Sequence, residues 1–310
     1  MIGQPHQDRA KPSAELMDRL SAMRLAPPGA RAVTGIGERA SRSSGAGMEF
    51  SEFRPYRTGD DLRHVDPRSI ARGQPFTRRY VQRRQFVVTV LLDLTASMRL
   101  ENSDKANLAI GLARAIGFVA LAGQDRLRLI VLEGEGQVRR SPTWQGRTRT
   151  AEMFAFTQPM SAPPRDRERT TGRPSAELLT PMLAELAADS DAGSLYFIAS
   201  DFWEQGAAHA MAALTAMPGT VTAFHILSGP ERDPSALGQG IMRLVDAETG
   251  MERDMTLDQA TLANYRTALG RHIDELAAAL PGFNLLVEVN AEDDLRALCL
   301  EKLPAAGVFA

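Results

Sequence analysis

Phe86-Val-Val-Thr-Val-Leu-Leu-Asp-Leu-Thr-Ala-Ser97 is the stretch that decides the fold. Its first seven residues form an unbroken β-branched and apolar run, as expected of a strand covered on both faces. A helix-period stretch follows from Lys105 to Leu121, then a second apolar run, Leu127–Leu132. Further on come a short helix at 148–157, a Pro- and Arg-rich loop at 159–174 and a helix over Ser175–Ala188. A third buried strand, Leu195–Ser200, a helix near 205–217 and a fourth strand, Val221–Leu227, continue the pattern. Alternation over 241–257 around Glu248-Thr-Gly250 reads as an edge hairpin. A long helix at 258–280, a strand at Asn284–Val289 and a helix at 292–303 complete the series. Strand and helix in alternation predict an α/β domain over 85–303, a doubly wound, mostly parallel sheet.

Upstream of Phe86 the composition changes. Residues 1–34 read as a polar tail and a short amphipathic helix that Ser13 caps. Residues 35–84 are rich in Gly, Ser and Arg with short extended pieces, a small β-rich lead-in. The 310 residues sum to a net charge of −2, but residues 1–84 carry 16 Lys and Arg against 9 Asp and Glu, so the remainder is acidic. That balance argues against wholesale nucleic-acid binding. The single cysteine, Cys299, rules out an intramolecular disulfide and reads as a buried thiol. No run of uncharged apolar residues approaches a membrane span, and the first residues lack a signal-peptide core, so the expectation is a cytoplasmic protein without a membrane span.

Ligands of open α/β sheets bind beyond the carboxyl ends of the strands. Here two buried strands end in acidic, hydroxyl-rich loops, Asp93-Leu-Thr95-Ala-Ser97 and Ser200-Asp201. Alternate positions let Asp93, Thr95 and Ser97 aim three oxygens at one point, and Asp201 adds a second carboxylate. Such a hard-oxygen set suits Mg2+, with Mn2+ or Ca2+ as alternatives. Thr170 or Thr171 supplies a further hydroxyl. An Asp at a strand end also serves as a plain helix N-cap, which is the competing account of Asp93. Asp201, being on a loop, is expected to be replaceable without loss of the fold.

The order of these features resembles the metal-ion-dependent adhesion site of von Willebrand factor A domains, whose pattern is D-x-S-x-S, a later loop Thr and an Asp after the fourth strand. Asp93, Ser97 and Asp201 match it, Thr95 keeps the hydroxyl of the first Ser, and the resemblance selects Thr171 as the loop ligand. Gly47-Met-Glu-Phe-Ser-Glu-Phe-Arg-Pro-Tyr-Arg-Thr-Gly-Asp-Asp-Leu-Arg63, with Asp66 and Ala71-Arg72, resembles the signature of the bacterial domain of unknown function 58. Where that family has Asp-Trp, this chain has Asp66-Pro67. The resemblance covers about 35–303. It implies a von Willebrand factor A-like fold and, through gene neighbourhood, a MoxR-type AAA+ ATPase as partner.

The function expected on these grounds is a non-enzymatic, Mg2+-dependent protein-binding module, with no catalytic residues, whose metal accepts a carboxylate from a partner protein. Arg54, Tyr56, Asp60, Asp61 and Arg63 are candidate partner-facing residues, although Gly59-Asp60-Asp61 also reads as an ordinary turn. Arg167 and Arg169 would steer acidic partners toward the metal. Arg78–Arg84 fits a solvated, aggregation-resistant strand edge better than a nucleic-acid surface. His225 reads as a satisfied structural histidine, and Met211 and Met217 as core. The competing functions are a metal-dependent phosphoryl hydrolase, which would want a lysine that only Lys11, Lys105 or Lys302 could provide, and a domain whose motif is vestigial.

Overall fold

The structure, a computed structural model, describes residues 10–26, 48–57, 65–73, 75–82, 86–100, 104–133, 136–158, 177–189 and 194–310. The chain divides into two compact units, Ala32–Gln85 and a larger one made of Met1–Arg31 with Phe86–Ala310.

In chain order the elements are α1 (Ala14–Ala22), β1 (Met48–Pro55), α2 (Pro67–Ala71), β2 (Phe76–Gln82), β3 (Val87–Leu94), α3 (Lys105–Ala122), β4 (Arg126–Glu133), β5 (Gln137–Arg140), β6 (Trp144–Gln145), α4 (Thr150–Phe156), α5 (Leu179–Ala188), β7 (Ser194–Ser200), α6 (Ala207–Thr215), β8 (Thr220–Leu227), α7 (Gly229–Arg232), β9 (Gly240–Val245), β10 (Glu252–Leu257), α8 (Gln259–Ala278) and β11 (Leu285–Asn290). A broken C-terminal helix follows.

Seven strands form the central sheet in the order β11-β8-β7-β3-β4-β5, with β6 also on β4. β11, β8, β7, β3 and β4 run parallel, and β5 and β6 pair antiparallel with β4. This is a mixed α/β architecture with a mostly parallel central sheet. Successive side chains of a strand take opposite faces, and the core divides accordingly. Val88, Val90, Leu92 and Leu94 of β3 join a cluster with α1, α3, α4 and the C-terminal helix. Leu91 of β3, Ile130 of β4 and Ile198 of β7 join another with α5, α6 and the end of α8. Helices thus cover both faces, which is why β3 shows no polar alternation.

α3 is the central element, with 15 of its 18 residues buried. Among the described residues it alone is long and apolar enough to cross a membrane, and 78% of that stretch lies inside the unit. It can lie this close to the sheet because of Gly117: a Cβ there would meet Leu127 Cδ2 and Met153 Cε at 3.1 Å. α1 is capped by Ser13, whose Oγ accepts the Leu16 amide.

Several local expectations change. The 240–257 hairpin is not an edge of the main sheet; β9 and β10 form their own two-stranded sheet. Arg243 pairs with Glu252 and Asp254 across it, while Ile241, Leu244 and Val245 stay exposed and outside the core. The helix expected over Ser175–Ala188 begins at Leu179. The last helix is broken by a π turn at Leu298–Lys302; Pro304 cannot donate to the carbonyl four residues back and needs room there, which the wider turn supplies. Cys299 is buried in that turn, and burial pushes its thiol up to about 12. Met211 is core, but Met217 lies beyond the end of α6 and is 43% exposed.

In the smaller unit β1 and β2 pair antiparallel. Arg54 is opposite Thr77 near the end of β1, and the Tyr56 amide donates to the Pro75 carbonyl at 2.9 Å. Ser69 buttresses the turn into β2: its Oγ donates to the Asp66 carbonyl and accepts the Phe76 amide.

Candidate metal centre

β3 and β7 are neighbours in register, Leu92 opposite Ala199. The next residues along, Asp93 and Ser200-Asp201, therefore emerge side by side at the carboxyl edge. Both carboxylates are buried, Asp93 at 4% and Asp201 at 3% exposure. Asp93 Oδ1 accepts the Thr95 amide at 3.0 Å and the Thr95 hydroxyl at 2.7 Å. Its Oδ2 accepts the Ser200 hydroxyl at 2.6 Å. Thr95 Oγ1 lies 3.4 Å from Ser97 Oγ, so the alternate positions do gather three side-chain oxygen groups.

Asp201 follows the strand through a tight turn. The Ser200 hydroxyl also accepts the Phe202 amide at 3.0 Å, and Phe202 takes φ = 55°, a left-handed conformation rare for a bulky residue. Full burial of the Phe202 ring, edge-on to His225 at 6.1 Å, holds it there.

Three partners of this edge were not anticipated from the sequence. Lys105, the first residue of α3, is fully buried and donates to Asp201 Oδ2 at 2.9 Å and to Glu231 Oε1 at 2.6 Å. Burial pulls its pKa down, but Asp201 and Glu231 outweigh that and leave it raised, so it is an ammonium. Glu231 is held by Ser228, whose amide and hydroxyl both donate to Oε2 at 2.7 Å, and its carbonyl accepts the Tyr265 hydroxyl. Glu248, in the turn between β9 and β10, accepts the Ser97 amide at 2.8 Å. Asp246 shapes that turn by accepting the Glu248 and Thr249 amides and the Thr249 hydroxyl. Signals for these roles did exist: Ser228-Gly-Pro-Glu231 is a capping box, and Lys105 heads an otherwise apolar helix.

These contacts correct the expectation that Asp201 is dispensable to the fold, because its removal would leave a buried ammonium half-paired. His225 is buried, but neither ring nitrogen has a hydrogen-bond partner among the described residues, so it is not a satisfied histidine. Burial, then His272, lowers its pKa to about 4 and keeps it neutral. Thr171, Arg167 and Arg169 lie outside the described residues, as do Asp60, Asp61 and Arg63. Arg54 and Tyr56 belong to the smaller unit.

Among the described residues no group of three or more His, Cys, Asp or Glu side chains is placed to hold a metal ion. The donor set at this edge is of another kind, two carboxylates with hydroxyls. Its electrostatics fit a cation. Burial first, and the neighbouring Asp201 second, hold the Asp93 carboxyl well above the ordinary carboxylate range. Among the described residues the ion pairs of this edge join Lys105 to Asp201 and Glu231, and none is formed by Asp93. Asp93, Thr95, Ser97 and Asp201 are the residues that would hold Mg2+, which favours oxygen donors and retains several waters.

Residues 52–275 match the family model described as protein of unknown function DUF58. Uncharacterized proteins of Mycobacterium bovis and Mycobacterium tuberculosis are 27% identical over 250 residues, 77% of this chain and 73% of theirs. Among solved structures, the conserved hypothetical protein BatB from Bacteroides thetaiotaomicron is 13% identical at a TM-score of 0.41, covering 71% of this chain and 98% of that one. An aerotolerance-related membrane protein from Bacteroides fragilis is likewise 13% identical, at a TM-score of 0.38, covering 72% and 98%.

Proposed function

This chain belongs to the DUF58 family, and we propose that it is a non-enzymatic, von Willebrand factor A-like binding module that takes up one Mg2+ at Asp93, Thr95, Ser97 and Asp201 and through it grips a carboxylate of a partner protein. One observation carries the reading: two buried carboxylates from adjacent strand tips converge with hydroxyls, and among the described residues Asp93 forms no ion pair. Thr171 would complete the donor set. The bound cation supplies an electrophilic point for an outside carboxylate. The chain's own residues prepare that point. Ser200 and Thr95 orient Asp93 by donating to both of its oxygens, and Lys105 fixes one oxygen of Asp201. The partner suggested by family resemblance is a MoxR-type AAA+ ATPase, with the pair acting in assembly or activation of an enzyme complex.

The test is calorimetric titration of Mg2+ into the full chain and into Asp201→Asn, followed by pull-down of the co-expressed ATPase in Mg2+ or in chelator. The expected outcome is binding by the wild type, none by the variant, and capture that requires both Asp201 and Mg2+. Equal Mg2+ affinity in the two proteins would remove the site assignment, and chelator-insensitive capture would remove the role of the metal.

One contact speaks for a second reading, a metal-dependent phosphoryl hydrolase. Lys105 supplies the lysine that such chemistry uses to balance phosphate charge. Against it, Lys105 bonds Asp201 and Glu231 and is fully enclosed, so it has no free ammonium face to offer a phosphate. Mg2+-dependent turnover of an aryl phosphate, lost in Asp93→Asn, would favour the hydrolase.

A further inference from the structure

The one lysine at the strand-tip edge is built into it. Lys105 Nζ lies between Asp201 Oδ2 and Glu231 Oε1, and its side chain is fully enclosed. A lysine buried only for packing would be replaced by an apolar residue at lower cost, because desolvating an ammonium is expensive. This one is set between two carboxylates, one of which is a candidate metal ligand. The backbone around it is equally determined. Lys105 opens the most buried helix of the unit, and Glu231 is locked by Ser228 in the capping box of α7.

Resting on the metal-binding reading above, we propose that Lys105 is a specificity-determining residue of the strand-tip site. Its ammonium cancels one carboxylate charge and takes one oxygen of Asp201, which biases the site toward a divalent cation and against a trivalent one. The argument is electrostatic. Affinity for a cation follows the summed charge within a few ångströms, and a trivalent ion gains more than a divalent ion from each added negative charge. Lys105 makes the summed charge of the carboxylates around it one unit less negative, and Glu248, at the Ser97 amide, adds its own negative charge whether Lys105 is present or not. Lys105 acts through Asp201 and is a positioning and charge-setting residue.

The experiment is a charge ladder in the full chain. Glu231→Gln makes the sum one unit less negative than in the wild type and keeps Lys105 paired with Asp201. The double variant K105M/E231Q restores the wild-type sum with neither partner charged, and Lys105→Met makes it one unit more negative. Mg2+ binding is measured by calorimetry and Tb3+ binding by luminescence, and the ratio of the two dissociation constants is compared across the series. Preference for Tb3+ over Mg2+ is expected to rise by at least about tenfold for each added negative charge. It should return close to the wild-type value in the double variant. A lysine that merely ties α3 to β7 would change stability and leave the ratio alone. If Lys105→Met fails to fold, the comparison of Glu231→Gln, wild type and the double variant still decides. A flat ratio among proteins that bind Mg2+ overturns the role of Lys105 and leaves the metal site standing. A wild type that binds neither ion overturns both.

Discussion

Asp125 shows how a single buried carboxylate governs stability away from the metal edge. Its Oδ1 accepts the Phe86 amide at 3.0 Å, fastening the start of β3 to the turn before β4. Burial raises the group to about 6, outweighing the stabilising effects of that amide and of Arg24. The folded state therefore holds a proton that the unfolded chain releases between about pH 4 and pH 6. Stability from this group falls as pH climbs through that window and is level above it. Asp125→Asn keeps an acceptor for Phe86 and drops the charge. It is expected to stabilise the protein at pH 7 by about 1–2 kcal/mol, with the gap closing toward pH 4. Urea unfolding at pH 4, 5, 6 and 7 measures it, and a gap that is the same at every pH would refute the account. At this scale sequence reading had mixed reach. Asp93, Thr95 and Ser97 were visible because their donors cluster within one turn. Nothing in the spacing of Asp125 showed that its carboxylate is buried against Phe86.

Elements were legible where periodicity was strong and both faces were buried. β3, α3, β4, β7 and β8 fall within a residue or two of expectation, since an apolar run of strand length flanked by helix period has few other solutions. β5 and β6 were missed because Gln137–Arg140 is a short, charged edge strand and Trp144–Gln145 only two residues long; pairing with β4 makes them strands. The start of α5 depends on a distant side chain. Glu204 accepts the amides of Leu178 and Leu179 at Oε2 (2.9 and 2.8 Å) and of Thr180 at Oε1 (2.7 Å). A carboxylate on the first turn satisfies donors that the N-cap residue, Leu178, has no polar side chain to cap. Glu204→Ala is expected to cost about 1–2 kcal/mol and to speed amide exchange over 178–181. Exchange unchanged there, whatever the loss of stability, would mean the first turn holds without Glu204.

At the scale of the whole molecule the metal edge is assigned to one unit: Asp93, Thr95, Ser97, Lys105, Asp201, Glu231 and Glu248 all belong to the larger one. A chain in which 32–85 is replaced by a flexible Gly/Ser linker is expected to unfold cooperatively and to retain the wild-type Mg2+ affinity within a factor of about two, the scatter usual for uncoupled sites. Loss of metal binding in a folded protein of this kind would show that the site needs the lead-in unit.

The sequence by itself determined the α/β character, the mostly parallel sheet and the strand-end loops that carry Asp93 and Asp201. Burial on both faces and turn chemistry are written in local periodicity. Only the tertiary structure decided what those carboxylates meet. Strand order sets β3 beside β7, so Ser200 reaches Asp93; α3 delivers Lys105 to Asp201, 96 residues away; and the separate hairpin brings Glu248 to Ser97 across 151 residues. A buried charge takes its partner from whatever the fold brings within a few ångströms, and no local spacing encodes that.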